Sequence, residues 1–437
     1  MKLVGDYEHF SEIEKKQTNA ALTCYSPNLK YKEEAKPKLN KSITESEHHS
    51  TLGHHYLNLL LRTTKLHTLF LYSQPYYVAD ERSYRYVKSS SKSFFDLGDS
   101  NLEKHNKVSL EFYDKVYSEL LDILHDPVKE RFRSKSESYL DKMSYELARM
   151  VLPLSAKSNS WHTINAEVIL QHVKTNPNEI PCHKDFIDQV FEKVLDHSPS
   201  IKPYFESVRS TSEEDFFFGE EEIPERNIFN TNLFDKSKNI KNLLDKVSHI
   251  SSIGSLSKLG RLLNQRSVSG RIKMSISCLV QTIRHRPIKN TYYFMNDEFY
   301  TDEFLQQSSA YSQWLDYIRD VIQDNKNNPF KFYFKPMGNM VTFDYEFPIY
   351  PLINFAKKRL CFNAQREIYL FVEDLVEGLH KSWDSSSALE KEDIDKLFSP
   401  PCVHNFKNKV KPTCPEGPRY CRIPVWLEKD RKSARKI

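Results

Sequence analysis

The sequence predicts a helix-rich protein organised as two long regions joined by an acidic segment. Three observations carry this reading. In SLEFYDKVYSELLDIL (109–124) the apolar residues Leu110, Tyr113, Val116, Leu120, Leu121 and Leu124 recur at the spacing of one helical face. In AQREIYLFVEDLVEGLH the same spacing links Ala364, Ile368, Phe371, Val372, Leu375 and Leu379. Between them, SEEDFFFGEEEIPERN (212–227) combines an acidic run with one Gly and one Pro, a linker composition.

The remaining elements follow in order. Residues up to about 46 open with a helical polar–apolar pattern ending in AALTCYSP, then pass into a Lys/Pro-rich loop. Residues 47–208 read as mostly helical, and a second long region runs from 235 to 395. A Pro- and Cys-bearing tail closes on the basic KDRKSARKI, a solvated end. The division is therefore 1–210, a linker at 211–234, then 235–398 and a tail at 399–437. No short internal repeat is present.

Composition removes several function classes. Only 10 glycines occur in 437 residues, and the two nearest, Gly254 and Gly260, are six apart. Neither GxGxxG nor GxxxxGK[ST] can be written, which excludes Rossmann-type NAD sites, P-loops and Gly-rich kinase lids. A net charge of +4 from 63 basic and 59 acidic residues makes no case for nucleic acid or a membrane surface. MKLVGDYEHFSEIEKK has no apolar leader core, and no stretch approaches 18 apolar residues. Seven sparse cysteines without a leader fit a reducing, cytoplasmic setting.

The most informative segment is ELARMVLPLSAKSNSWHTINAEVILQHV (146–173), with Ala148, Arg149, Leu152, Pro153, Thr163 and Asn165. It resembles the A-R-x-x-L-P…T-x-N region of the flavin-dependent thymidylate synthases, the ThyX family. DERSYRYVK (80–88) resembles the E-x-S-x-R-Y end of that family's signature, RHRxxSxNExSxRY. AALTCYS (20–26) resembles A-A-R-x-C-Y-S. HHSTLGH (48–54) keeps His48, Ser50 and His54 of G-H-x-S-x-x-E-H but has Gly53 in place of the Glu. Where the family has RHR, this half has Ser73, Gln74 and Pro75.

The second half carries the missing tripeptide. QTIRHRPIKN (281–290) holds Gln281, Arg284, His285 and Arg286. Residues 335–368 line up with L-P…T-x-N…L-R…H-A-Q-x-E-I through Arg359, Ala364, Gln365, Glu367 and Ile368. The departures are reciprocal: Phe294 stands at the signature Ser, Asn296 at its Arg, Pro348 at the Asn of T-x-N and Asn363 at the His of H-A-Q. The chain thus resembles two fused, partly degenerate ThyX-like units. That implies an α+β fold, tandem ThyX-like domains, helix-rich with a small sheet in each unit.

The chemistry suits these residue types. Ser83 and Arg85 put a hydroxyl and a guanidinium fork on one turn, a set that grips an anion, and Glu81 can accept from a sugar hydroxyl. The resemblance implies that Glu81, Ser83 and Arg85 bind dUMP. It also implies that Gln281 and Arg359 sit at the base as substrate-binding and catalytic residues. Arg284, His285, Arg286, Asn165, Ser50 and His54 would then hold FAD, since cations near the ring stabilise its reduced form. Methylenetetrahydrofolate would be the carbon donor and NADPH the reductant. Family members form homotetramers, so a homodimer of this chain would make a pseudo-tetramer with composite sites drawn from both halves.

Plainer readings exist beside these. The RHR run also fits a solvated basic cluster, and Glu81-Ser83-Arg85 a surface turn. Thr163 and Asn165 also fit a helix N-cap. Histidines 48, 49, 54 and 55 lack a carboxylate at ligand spacing. Cys361, Cys402, Cys414 and Cys421 number enough for a structural zinc site, though no CxxC knuckle is present. A second function also stands: a catalytically weakened homologue that binds flavin or nucleotide, or serves structurally. In its favour, Asn159 and Thr342 stand where the family has a nucleotide-binding Arg.

Overall fold

The computed structural model describes residues 2–4, 13–25, 31–46, 49–54, 56–73, 77–85, 87–132, 136–177, 180–193, 195–211, 214–215, 228–233, 238–247, 253–285, 287–383, 389–417, 420–428 and 435. The first half runs β1 (Lys2–Val4), α1 (Ile13–Tyr25), α2 (Pro37–Glu45), β2 (Tyr56–Thr64), α3 (Lys65–Ser73), β3 (Tyr77–Glu81), α4 (Ser100–Phe132), α5 (Ser136–Ala148), β4 (Lys157–Asn165), α6 (Ala166–Lys174), β5 (Asn176–Pro177), α7 (Pro181–Lys193), α8 (Lys202–Thr211) and β6 (Glu214–Asp215). The second half runs β7 (Ile228–Thr231), α9 (Lys238–Leu244), α10 (Lys258–Asn264), β8 (Ser267–Ser275), α11 (Ile276–Ile283), β9 (Lys289–Phe299), α12 (Ser309–Asp324), α13 (Lys331–Phe334), β10 (Asn339–Pro348), α14 (Ile349–Arg359), α15 (Arg366–Ser382), α16 (Lys391–Leu397) and α17 (Pro401–Lys407). Most of the 212–227 segment lies outside the described residues, as do His48, Gln74, Pro75 and Arg286.

The fold is α+β and helix-rich, with a small sheet in each of two compact units. The first unit comprises residues 1–111, 152–219 and 316–336, and the second 112–151, 220–315 and 337–437. Domains read along the sequence and compact units are therefore different divisions of the chain. Residues 112–151 belong to the second unit although they precede β4, and 316–336 belong to the first although they precede β10. Both segments lie between the second and third core strands of their own half.

Besides the short parallel pair β5–β6, there are two four-stranded sheets, both antiparallel and sharing one strand order. The first unit has β1-β2-β4-β3 and the second β7-β8-β10-β9. In each, a short leading strand flanks the first core strand, the third core strand lies in the middle and the second lies at the far edge. In each, the first and third core strands run directly into helices, β2 into α3 and β4 into α6, β8 into α11 and β10 into α14.

The sequence reading of 47–208 as mostly helical needs correction at β2, β3 and β4. In YLNLLLRTT, Leu57, Leu59 and Leu61 are buried while Tyr56, Asn58, Leu60 and Arg62 are exposed, the period-2 pattern of a half-buried strand. Chain order hides the pattern because α3 starts at the next residue with no Gly or Pro between. Leu66 to Tyr72 are all buried, so α3 is a core helix enclosed on every side.

The two predicted helical faces are present. On α4, Tyr113, Val116, Leu120 and Leu124 are fully buried, while Leu110 and Leu121 sit at the margin. On α15, Ile368, Phe371, Val372, Leu375 and Leu379 are buried, and Ala364 just precedes the helix. Each fully buried side chain of this kind contributes about 1.5–3 kcal/mol. Among the described residues, no helix is long and apolar enough to cross a membrane.

Candidate functional site

In the second unit three helix ends meet. Ser275 ends β8 and caps α11, its Oγ accepting from the Cys278 amide at 3.0 Å. The same Ser275 is tied to Glu367 in the first turn of α15. The Ser275 amide donates to Glu367 Oε1 and its hydroxyl to Oε2, both at 2.6 Å. Burial pushes the Glu367 carboxyl up to about 7, against the pull of the Ser275 bonds and Arg149.

Gln365, at the N-cap of α15, is the hub. Its Oε1 accepts from Arg149 Nη2 at 2.6 Å and from the Gln281 amide, while its own amide reaches Glu367 Oε2 at 3.4 Å. Gln281 Nε2 also donates to the Ser277 carbonyl at 3.0 Å. At the other end of the cluster, Arg359 closes α14. Its Nη2 donates to the Gln281 carbonyl at 3.2 Å and faces His285 Nε2 at 2.8 Å. Burial, then the charges of Arg359, Lys358 and Arg284, drive the His285 pKa down to about 3. The imidazole is therefore neutral, and Nε2 accepts from the guanidinium. Its ring meets Phe355 edge-on at 4.9 Å between centroids.

Of the residues singled out in the sequence, Gln281, His285 and Arg359 come together here, and Arg284 follows as the C-cap of α11. Three more members, Arg149, Gln365 and Glu367, lay inside the quoted motifs without a role assigned to them. Arg149 is the one whose place no spacing reveals, because it comes from the 112–151 segment.

In the first unit, Glu81 ends β3. Its carboxylate pairs with Lys65 and accepts from Ser158 Oγ at 2.6 Å and Tyr72 OH at 3.2 Å. Only 4 % of the side chain is exposed, so a sugar hydroxyl would have to displace one of these donors. Ser83 and Arg85 share the turn after β3, with the Arg85 amide donating to Ser83 Oγ at 3.2 Å. Tyr84 anchors this turn through its hydroxyl, which donates to the Lys157 carbonyl at 2.5 Å.

Asn165 takes the cap position that the sequence left open: its Oδ1 accepts from the Val168 amide at 2.9 Å. Thr163 instead donates across the strands to Asn58 Oδ1 at 2.8 Å. Ser50 and His54 are exposed on the short turn His49–His54. Gly53, in the same turn, faces Glu167, whose Oε2 lies 3.4 Å from where a Cβ would stand. A carboxylate thus comes from α6 to the side of the turn that lacks one.

Behind α3 the first unit holds a buried imidazole chain. His67 Nδ1 lies 2.8 Å from Thr63 Oγ1, His67 Nε2 lies 3.3 Å from His183 Nδ1, and His183 Nε2 reaches the His172 carbonyl at 3.0 Å. Phe70 and Phe186 pack against these rings. A cavity of about 440 Å³ in the second unit, walled by Phe229, Tyr345, Phe371 and Lys381, contains none of the candidate residues. Among the described residues, no group of three or more His, Cys, Asp and Glu is arranged to hold a metal.

The fold and this cluster define an α+β protein with a cationic, amide-rich set of side chains at converging helix ends, suited to an anionic ligand that also presents carbonyl and N–H groups. Residues 7–177 match the family described as thymidylate synthase complementing protein, the ThyX family. This N-terminal part of the chain is therefore similar to that family. Comparison with curated proteins gives no match.

Proposed function

We propose that the protein is an FAD-dependent thymidylate synthase that converts dUMP to dTMP with methylenetetrahydrofolate and NADPH. One observation carries the proposal. Arg149, from the first half of the sequence, shares Gln365 with Gln281, from the second, beside Arg359 and His285. A cluster in the second unit thus already draws on both halves. This supports composite sites and accounts for motif losses that are reciprocal rather than scattered.

The donor set fits the ligands. Arg284 and Arg359 supply fixed positive charge for phosphate or for an anionic ring, and the Gln281 and Gln365 amides can pair with an imide edge. When bound, the flavin supplies the redox chemistry between NADPH and the one-carbon unit. The chain's own residues bind and orient. Neutral His285 holds Arg359 as an acceptor, so the guanidinium keeps its charge for the ligand. Glu367 fixes the Ser275 cap and, with a pKa near 7, can hold or release a proton there. Arg284, His285, Arg286, Ser50, His54 and Asn165 are assigned to the flavin, and Ser83 and Arg85 to the nucleotide phosphate. A homodimer would assemble four family-like units.

The committed Glu81 and the packed histidines of the first unit favour a second reading, a chain that binds flavin or nucleotide without turnover. Flavin absorbance in the purified protein, followed by dUMP-dependent oxidation of NADPH, separates the two. A protein that takes up neither FAD nor dUMP overturns both. Light scattering that reports a monomer removes the pseudo-tetramer.

A further inference from the structure

The four cysteines at the end of the second unit come from three separate stretches of chain. Cys361 follows α14, Cys402 lies in the first turn of α17, and Cys414 and Cys421 lie on the segment beyond it. All are free thiols, and all four line one cavity of about 20 Å³ with Phe362, Tyr420 and Ile423. That volume admits about one water-sized sphere, room for a bare ion and not for a hydrated one. Four unpaired thiols from three stretches of chain around one small cavity form the donor set of a closed metal site.

We propose that Cys361, Cys402, Cys414 and Cys421 form a structural zinc site. Zinc takes four thiolates at about 2.3 Å in a tetrahedron, with no open position in structural sites. The thiols lose their protons on binding, so loading releases protons to solvent. The four residues line the cavity without standing in the closed arrangement of a loaded metal site, and the ion would draw them in.

The segment beyond α17 needs such a tie. Residues 409–424 contain no strand or helix of four or more residues among those described, and Val410 is exposed. The site also bears on the cluster above. Cys361 stands two residues after Arg359 and four before Gln365. A metal bond there would clamp the connection between α14 and α15, which Tyr139 already holds through Asn363 Oδ1 at 2.5 Å and Arg435 through the Ala364 carbonyl at 2.9 Å. Zinc binding itself does not depend on the proposed enzyme activity; only its effect on ligand affinity does.

The test is metal analysis of the full chain, purified with a non-chelating reductant. About one zinc per chain is expected, lost in the Cys402→Ser/Cys414→Ser double variant and retained in Cys182→Ser, which alters a buried thiol elsewhere. Should the double variant fail to fold, cobalt loading of the unaltered chain decides. Intense thiolate-to-cobalt charge-transfer bands are expected. Zinc-free protein that also gives no such bands overturns the proposal, as does zinc that persists in the folded double variant.

Discussion

Acidification should unfold the first unit through its buried imidazoles. Among them, His105 and His183 have pKa values lowered from 6.5 to about 4, chiefly by burial. Their hydrogen bonds fix neutral tautomers. His105 Nε2 donates to the Phe334 carbonyl at 3.1 Å, leaving Nδ1 to accept from Tyr317 OH at 3.1 Å. His183 Nε2 donates to the His172 carbonyl, leaving Nδ1 to accept from His67. Protonating His183 would set two N–H groups against each other. The unfolded chain, with ordinary imidazoles, binds more protons below pH 6.5, so stability is full above that value. It falls as the pH drops toward 4. The fall from 6.5 to about 4 is worth about 3 kcal/mol for each ring. Two such rings remove a large part of the 5–15 kcal/mol typical of a domain. Urea unfolding followed by circular dichroism at several pH values between about 7.5 and 4.5 measures this. His183→Gln should remove a share of the slope equal to one ring. A slope that His183→Gln and His105→Gln both leave unchanged would refute the reasoning, as would an imidazole of either residue titrating near 6.5 by NMR.

Three further outcomes follow from contacts described above. Arg359→Met should weaken binding of an anionic nucleotide or flavin by roughly 10–100-fold, the worth of one charge-assisted bond, measured by calorimetry. Gly338→Ala should destabilise by about 1–3 kcal/mol in a urea titration, since its Cβ would stand 2.9 Å from the Met150 carbonyl oxygen. Asn165→Ala should cost about 1 kcal/mol through loss of the α6 cap, and Asn165→Asp should recover most of it in the same assay.

The sequence made parts of this structure legible and hid others for physical reasons. Helical faces on α4 and α15 stood out because burial repeats every three to four residues over several turns. β2 did not, because its alternation lasts eight residues and the strand then gives way without a break to a helix that is buried almost all round. Gln281, His285 and Arg359 were singled out through the ThyX resemblance, and in the structure Arg359 bonds both the Gln281 carbonyl and the His285 ring. The partnership of Arg149 with Gln365 was not legible, since it depends on a helical segment packing with residues more than two hundred positions away. Asn165 shows a residue type that serves two readings equally until its neighbours are seen. Its carbonyl oxygen caps a helix, and its amide points toward the turn of Gly53.

The division of the chain into interleaved units bears on how the protein is made. The first unit is incomplete until residues 316–336 have been translated, for His105 finds Tyr317 and Phe334 there, and Cys182 finds Tyr333. At ribosomal speed the nascent chain waits about ten to forty-five seconds between residue 111 and that closing segment. During that wait, the partly built core around α3 exposes the surfaces that chaperones recognise. For the same reason, cutting the gene at the acidic linker would yield two fragments that each lack helices belonging to their own core. Separating the two halves would therefore require each to rebuild the helices that the other now supplies.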